Sequence, residues 1–327
     1  MPVLFYAENT EGRFKKAVLE TASYAKAVAD QLDTTAIALS IGKVLPDELE
    51  NLGNYSIKRV LNVSGDQQKT FINQAYASII AEAAEKVNAE IIILSNSLSG
   101  RGLAARIAVK LQAGLADGAT DLPETSNGKF IIKKTAFSGR AAAVVELTSA
   151  KKVISLNPNT FKLIENKVVA EVEDFMPVKE ASDFNILVKD ILRSTEKVSL
   201  PDAEIIVSAG KGLKGPENWK MIEDLAEALD AAVACTKPVS DAGWRPHEEH
   251  VGQTGISVSP NLYIAIGISG AIQHLAGVSS SKVIVVINRD PDAPFFKVAD
   301  YGLVGDAFEI VPKLTEAIKN YKALALS

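Results

Sequence analysis

Short runs of consecutive apolar residues recur along this chain, each followed by a longer segment with helical spacing. That alternation constrains the fold more than any other feature. Residues 2–7, 35–39, 58–63 and 90–94 read as strands. The run at 90–94 is continuously apolar rather than alternating, as in parallel sheets buried on both faces. Between the strands, residues 14–32 place Val18, Thr21, Ala22, Ala25, Val28, Ala29 and Leu32 on one stripe. Residues 71–87 do the same with Ile72, Ala75, Ile79, Ala83 and Val87. Strands alternating with helices predict an α/β layer with right-handed crossovers. Three further strands, at 129–135, 142–147 and 153–156, are expected to complete the sheet.

The pattern then pauses and restarts. A chain of 327 residues suggests two domains. The charged region 168–200 contains a strand candidate at 185–191, and the boundary falls in the polar stretch 192–200, closed by Pro201. This gives a first domain at 1–195 and a second at 200–327. In the second, strands are predicted at 203–208, 233–235, 282–288 and 308–311, and helices at 219–232 and 314–324. The net charge of -5 argues against a nucleic-acid partner. Cys235 is the single cysteine, so no internal disulfide forms and a reducing compartment is expected. The opening MPVLFYAENTEGRF has neither a signal-peptide nor a transit-peptide pattern. No apolar run approaches the roughly 20 residues needed to cross a bilayer. The expectation is a cytoplasmic protein without direct membrane insertion.

Chemistry concentrates in the second half. In open α/β sheets, ligands sit beyond the carboxyl ends of the strands. Residues 209–215, 236–255, 269–274 and 288–306 all follow strands, so one cleft is expected to gather them. The stretch 251–274, VGQTGISVSPNLYIAIGISGAIQH, combines a turn-forming GQTG with an apolar run that breaks at Ser269 and Gly270 into a helix, predicted at 271–276. Strand, tight turn and helix put free backbone N–H groups and a positive helix end at one point, which suits a phosphate. A similar loop, SNSLSGRG after residue 94, reads as an ordinary helix start capped by Ser99.

Several motifs carry weaker signals. AGKGLKG, residues 209–215, satisfies neither the P-loop nor the dinucleotide glycine pattern. Lys211 and Lys214 either hold a phosphate as point charges or are solvated on a glycine-rich turn. GISGA, residues 267–271, resembles a nucleophile elbow centred on Ser269, but no histidine follows His274, so the order Ser, Asp, His fails. His247 and His250 lie three apart, not four, and read as a solvated loop rather than a metal site. His274 is either a helix-face histidine or a donor aimed at a ligand. Thr254 either serves its turn or reaches a bound ring. Asn288 and Asp306 either bond ribose hydroxyls or an adenine edge, or perform turn chemistry. Cys235 reads as a core thiol, and Trp244 with Arg245 as a loop anchor or contact surface.

Taken together, VSAGKGLKG, SDAGW, VGQTG, LYIAIGISGAIQHLAG and VINRDPDAPFFKVADYGLVGD resemble the alpha subunit of electron transfer flavoprotein, in that family's order and spacing. The MPVLFYAE start, GLAARIAVKLQAGLADGATDL and SLNPNTF fit more loosely. The resemblance implies an N-terminal nucleotide-binding-like domain, of the adenine nucleotide alpha hydrolase type, without a cofactor. It implies a C-terminal Rossmann-like, DHS-like parallel-sheet domain that binds FAD. It implies an electron carrier, not an enzyme, paired with a beta subunit. Electrons come from flavin dehydrogenases such as acyl-CoA dehydrogenases and leave to a membrane quinone oxidoreductase; some members bifurcate electrons instead. Carried over by residue, Thr254 bonds the flavin N5, Gln253 and Val251 line the ring, and Gly252 and Gly255 belong to the cofactor-binding set. His274 faces a flavin carbonyl and stabilises the anionic flavin. Ser269, Gly270, Ala271, Ile272 and Gln273 wrap the pyrophosphate and ribityl chain, and Asn288 and Asp306 hold the adenosine end. Lys211, Thr236 and Lys237 stand where the family usually has arginine, serine and arginine. A lysine at 237 keeps the charge and loses the planar fork.

Overall fold

The structure is a computed structural model, and it describes residues 2–64, 71–136, 141–178, 186, 188, 189 and 199–325. The strand expected at 185–191 and the boundary stretch up to residue 198 lie almost wholly outside the described residues. Packing divides the chain into two compact units, one of residues 1–136 with 142–193 and one of 194–327 with 137–141.

In the first unit the described residues form a nine-stranded sheet. Its order is Glu171–Asp174, Arg59–Val63, Ala36–Ile41, Val3–Tyr6, Ile91–Ser95, Lys152–Leu156, Gly114–Ala119, Ile131–Ala136, Ala141–Glu146. The first seven pair in parallel, and the junction of Gly114–Ala119 with Ile131–Ala136 is antiparallel. Ile91–Ser95 is buried throughout, as a continuous apolar run in a parallel sheet should be. Helix Lys16–Gln31 covers one face through Val18, Ala22, Ala25 and Val28. Helices Asn73–Lys86 and Leu98–Leu111 cover the other through Ala77, Ile80, Leu103 and Ile107. The cap of Leu98–Leu111 is Ser97, whose Oγ accepts the Gly100 N–H at 2.9 Å, rather than Ser99. Strands Gly114–Ala119 and Glu171–Asp174 and the hairpin of Asn9–Thr10 with Arg13–Phe14 have no counterpart in the sequence reading. They are too short, too small-residued or too charged to give an apolar run.

The second unit positions the site. Its strands are β1 (Ile205–Ala209), β2 (Ala232–Cys235), β3 (Leu262–Ile266), β4 (Val283–Asn288) and β5 (Tyr301–Val304). They form a parallel sheet in the order β2-β1-β3-β4-β5. Its helices are α1 (Lys220–Leu229), α2 (Lys237–Asp241), α3 (Ile272–Val278) and α4 (Ala307–Ala325). Alternate side chains serve two cores. Ile206, Tyr263, Ala265 and Val286 face Val251, Val278 and Phe295. Val207, Ile264, Ile266 and Ile287 face Trp219, Ile222, Leu225 and Val311. Burial of Ile222 or Leu225 contributes about 1.5–3 kcal/mol each. α1 ends where Asp230 turns left-handed at φ 57°, its N–H and that of Ala231 closing the last turn on Glu227 and Ala226.

Two expectations at the end of the chain are corrected. The last strand is β5, not 308–311, and the closing helix starts at Ala307 instead of 314. Phe308 to Val311 looks strand-like because it is aromatic and β-branched. Asp306 overrides that propensity: its Oδ1 accepts the Phe308 N–H at 2.9 Å and its carbonyl the N–H groups of Glu309 and Ile310. β5 is exposed at all its positions, with Tyr301, Leu303 and Val304 uncovered, and among the described strands only β4 pairs with it.

Candidate functional site

In the second unit the strand order reverses between β1 and β3. β1 leads outward to β2, and β3 leads the other way to β4 and β5. The loops leaving the two carboxyl ends therefore part company there, opening the crevice where such sheets bind ligands. The loop after β1 runs through Gly210 and Lys211, and the loop after β3 through Gly267 to Ala271. They are stitched together by Gly210 N–H to Ile266 O at 3.0 Å and Gly212 N–H to Gly267 O at 3.1 Å. Backbone lies on backbone: a Cβ on Gly212 would stand 2.6 Å from Gly267 Cα.

Beyond this junction the chain turns sharply at Gly270. Its φ of +87° suits glycine, and a Cβ there would stand 2.4 Å from Phe295 N. Ser269 O accepts the Phe295 N–H at 3.1 Å, which fixes the turn to the loop after β4. The N–H groups of Ser269, Gly270, Ala271, Ile272 and Gln273 bond no other described residue. Ser269, Ala271, Ile272 and Gln273 are exposed. Five free donors gathered at a turn and helix start are what a phosphate group takes.

The GQTG turn lies against α3. Gln253 N–H donates to Gln273 O at 2.7 Å, and a Cβ on Gly277 would stand 2.6 Å from Gly252 Cα. Gly252 N–H bonds Ile256 O and Ile256 N–H bonds His250 O, closing residues 250–256 into a loop with Gln253 and Thr254 exposed on it. Val251 is fully buried, its N–H on Cys235 O at 3.0 Å. A glycine inside a helix, Gly277, was the available signal for this packing.

His274 is 6% exposed and faces inward. Its Nε2 lies 3.0 Å from the Tyr263 hydroxyl and its ring meets Phe295 edge-on at 5.8 Å. Burial pushes its pKa down to about 4, with the Val251 backbone opposing and His250 adding to the shift. The imidazole is neutral at pH 7. Its Nδ1 has no hydrogen-bond partner of full geometry. His274 thus bonds Tyr263 rather than Ser269, so no nucleophile–base pair forms at the elbow. Neither Tyr263 nor Phe295 announced this role, since each reads as plain core.

The remaining candidates are distributed around the crevice. Thr236 is buried at the start of α2, its N–H on Ala209 O. Lys237 follows it, half-exposed, with Nζ 2.9 Å from both Asp241 carboxylate oxygens. Lys211 Nζ stands 3.8 Å above the centre of the Trp244 ring. Asn288 is buried, its amide on Ile268 O at 2.9 Å and its carbonyl oxygen on Asp290 N–H at 3.1 Å, so it ties the loops after β3 and β4 together. Asp306 caps α4. Cys235 is a core thiol whose pKa burial pushes up to about 12. One expectation is overturned: His250 is 2% exposed, not solvated, while His247 remains exposed. Glu249 beside it is buried because Arg245 bonds its carboxylate at 2.6 Å. Among the described residues no group of three or more His, Cys, Asp or Glu side chains gathers to hold a metal.

Comparison with known proteins decides the family. Residues 3–180 match the electron transfer flavoprotein domain, and residues 199–279 match the electron transfer flavoprotein FAD-binding domain. The chain belongs to the electron transfer flavoprotein alpha-subunit family. It is 35% identical to the electron transfer flavoprotein subunit alpha of Thermoanaerobacterium thermosaccharolyticum, over 98% of each chain. It is 34% identical to that of Bacillus subtilis strain 168, over 97% of each. It is 31% identical to the lactate dehydrogenase (NAD(+),ferredoxin) subunit LctC of Acetobacterium woodii, covering 97% of this chain and 77% of that one. The FAD-binding match includes the crevice loops of β1 and β3, the GQTG turn and α3 up to residue 279. The free donors at 269–273 fit that cofactor's phosphates. Membership in the alpha-subunit family implies a beta partner. No helix among the described residues is long and apolar enough to cross a membrane.

Proposed function

We propose that this chain, paired with a beta subunit, is a cytoplasmic electron carrier with no substrate turnover of its own. It takes electrons from flavin dehydrogenases such as acyl-CoA dehydrogenases and delivers them to a membrane quinone oxidoreductase. The observation that carries the reading is the cradle at the switch point: five unpaired N–H groups beside an exposed Gln253–Thr254 turn. FAD bound there supplies the one- and two-electron chemistry.

The chain's own residues then divide the work. Ser269, Gly270, Ala271, Ile272 and Gln273 hold the pyrophosphate by backbone N–H groups, which need no side-chain charge. Thr254 offers its hydroxyl to the ring N5. Val251, Gly252, Gln253 and Gly255 shape the turn along the ring. His274, neutral and fixed by Tyr263, stands behind the turn that borders the ring, and its role is to face a flavin carbonyl. Thr236 and Lys237 border the ring, and Lys211 adds positive charge near the phosphates. Asn288 and Asp306 support the adenosine side.

The test is to purify the chain with its beta partner and count flavins. One flavin per heterodimer, bleached by an acyl-CoA dehydrogenase with its substrate and recoloured by quinone oxidoreductase, supports the reading. A colourless heterodimer that takes up no FAD refutes it. A second reading, electron bifurcation, is favoured by the likeness to the Acetobacterium woodii protein, whose name joins NAD(+) and ferredoxin. Two flavins per heterodimer would decide for it.

A further inference from the structure

The His250 imidazole occupies the inside of the loop that carries Gln253 and Thr254. A Cβ on Gly255 would stand 2.7 Å from His250 Nδ1 and 2.9 Å from its Cε1, and a Cβ on Gly252 would stand 3.4 Å from Nε2. Both glycines of GQTG therefore lie against this ring. The loop is closed around it by Ile256 N–H to His250 O at 2.9 Å and Gly255 N–H to Gly252 O at 3.0 Å. Its Nδ1 has no hydrogen-bond partner, although the ring is buried. A buried polar atom without a partner is costly, so its presence here calls for a role.

We propose that His250 is a positioning residue for the flavin contact: its neutral ring is the floor of the 251–256 turn and fixes where Gln253 and Thr254 stand. The inference rests on the reading that this turn faces the flavin. Without the ring, Gly255 loses its side-chain support and Gly252 keeps only its contact with α3, so the exposed residues between them are held less firmly. The neutral form matters because of what surrounds it. From α2 come Lys237 and Asp241, from the preceding loop His247 and the Arg245-bonded Glu249, from β2 Cys235, and from α3 His274. The turn itself contributes no titratable group. Burial, His247 and Lys237 all disfavour a proton on His250, and Asp241 alone among these favours one. Protonation is thus disfavoured while the turn is seated. An open turn takes the proton more readily, so the seated turn is progressively destabilised as pH falls below the ordinary imidazole value near 6.5.

The experiment measures FAD affinity by flavin fluorescence on the deflavinated heterodimer between pH 7.5 and 5.5. Wild type, His250→Gln, His250→Ala and Thr254→Val are compared, and each flavin's redox potential is recorded. The expected result is a wild-type affinity that weakens about tenfold on acidification. His250→Gln flattens that dependence, and His250→Ala weakens binding about tenfold at pH 7.5 with a shifted potential. A His250→Gln dependence equal to wild type, or a His250→Ala affinity and potential equal to wild type, overturns the proposal. Thr254→Val separates this failure from that of the underlying reading. An unchanged potential in Thr254→Val removes the turn from the flavin and takes the proposal with it. A changed potential there with unaltered His250 variants overturns the role of His250 alone.

Discussion

At the scale of single residues, the burial of His274 makes stability depend on pH on the acid side. Unfolded, its pKa is about 6.5; folded, it is about 4. Between those values the unfolded chain takes a proton that the folded chain refuses. Stability is therefore complete above pH 6.5 and falls by about 3 kcal/mol as pH drops to 4. Trp219 and Trp244, the chain's two tryptophans, both lie in the second unit, so their fluorescence during urea unfolding reports that unit. His274→Gln should show a shallower acid slope in that measurement, and an equal slope would refute the assignment. Lys237 gives a second prediction. Its ammonium is held by Asp241 and lacks the planar fork that stacks on a ring. Lys237→Arg should move at least one of the flavin's one-electron potentials by about 60 mV, a tenfold change in that equilibrium. A redox titration with both potentials unchanged contradicts it. The glycines, Thr254 and Ser269 were legible from the sequence because their types mark turns and helix starts. The burial of His250 was not, because HEEH is polar and nothing local shows that Arg245 neutralises Glu249 or that a glycine turn folds over the imidazole.

Among elements, the loop between β3 and α3 tolerates least. Gly270→Ala sets a methyl group against the Phe295 backbone at a left-handed φ. Strain of that kind costs roughly 1–3 kcal/mol and displaces the free donors beside it. FAD affinity in the heterodimer, followed by fluorescence, should fall at least about tenfold. Retention of wild-type affinity would mean that these donors do not hold the phosphates. The same stretch was the most readable part of the sequence, since an apolar run that breaks at Ser-Gly has few alternatives. β5 and the start of α4 were the least readable. Tyr301–Val304 is exposed and short, and it owes its conformation to pairing with β4. The Phe308–Val311 segment has strand propensity, and the Asp306 cap together with the burial of Ala307 and Val311, and the packing of Ile310 and Leu314, makes it helical.

At the scale of the whole chain, each unit has its own sheet with a core on either face, and the crevice loops, the GQTG turn and α3 all belong to the second unit. A ligand that binds only the folded second unit stabilises that unit by mass action, about 2.7 kcal/mol at a hundredfold excess over its dissociation constant. Calorimetry of the heterodimer with added FAD should therefore raise the transition reported by Trp219 and Trp244 and leave the other in place. A single transition moving as one would contradict independent cores. The alternation of strand and helix made this two-sheet organisation legible, whereas pairing partners and strand order depend on contacts distant in sequence. Among the described residues nothing pairs with the outer edge of β5, which has a practical consequence. A row of open N–H and C=O groups flanked by Tyr301, Leu303 and Val304 is a template onto which another copy can add a strand. Growth by such addition rises steeply with concentration and is indifferent to how well either core is packed. Turbidity of a concentrated preparation should therefore follow changes at that edge, such as Leu303→Lys, more closely than changes in melting temperature.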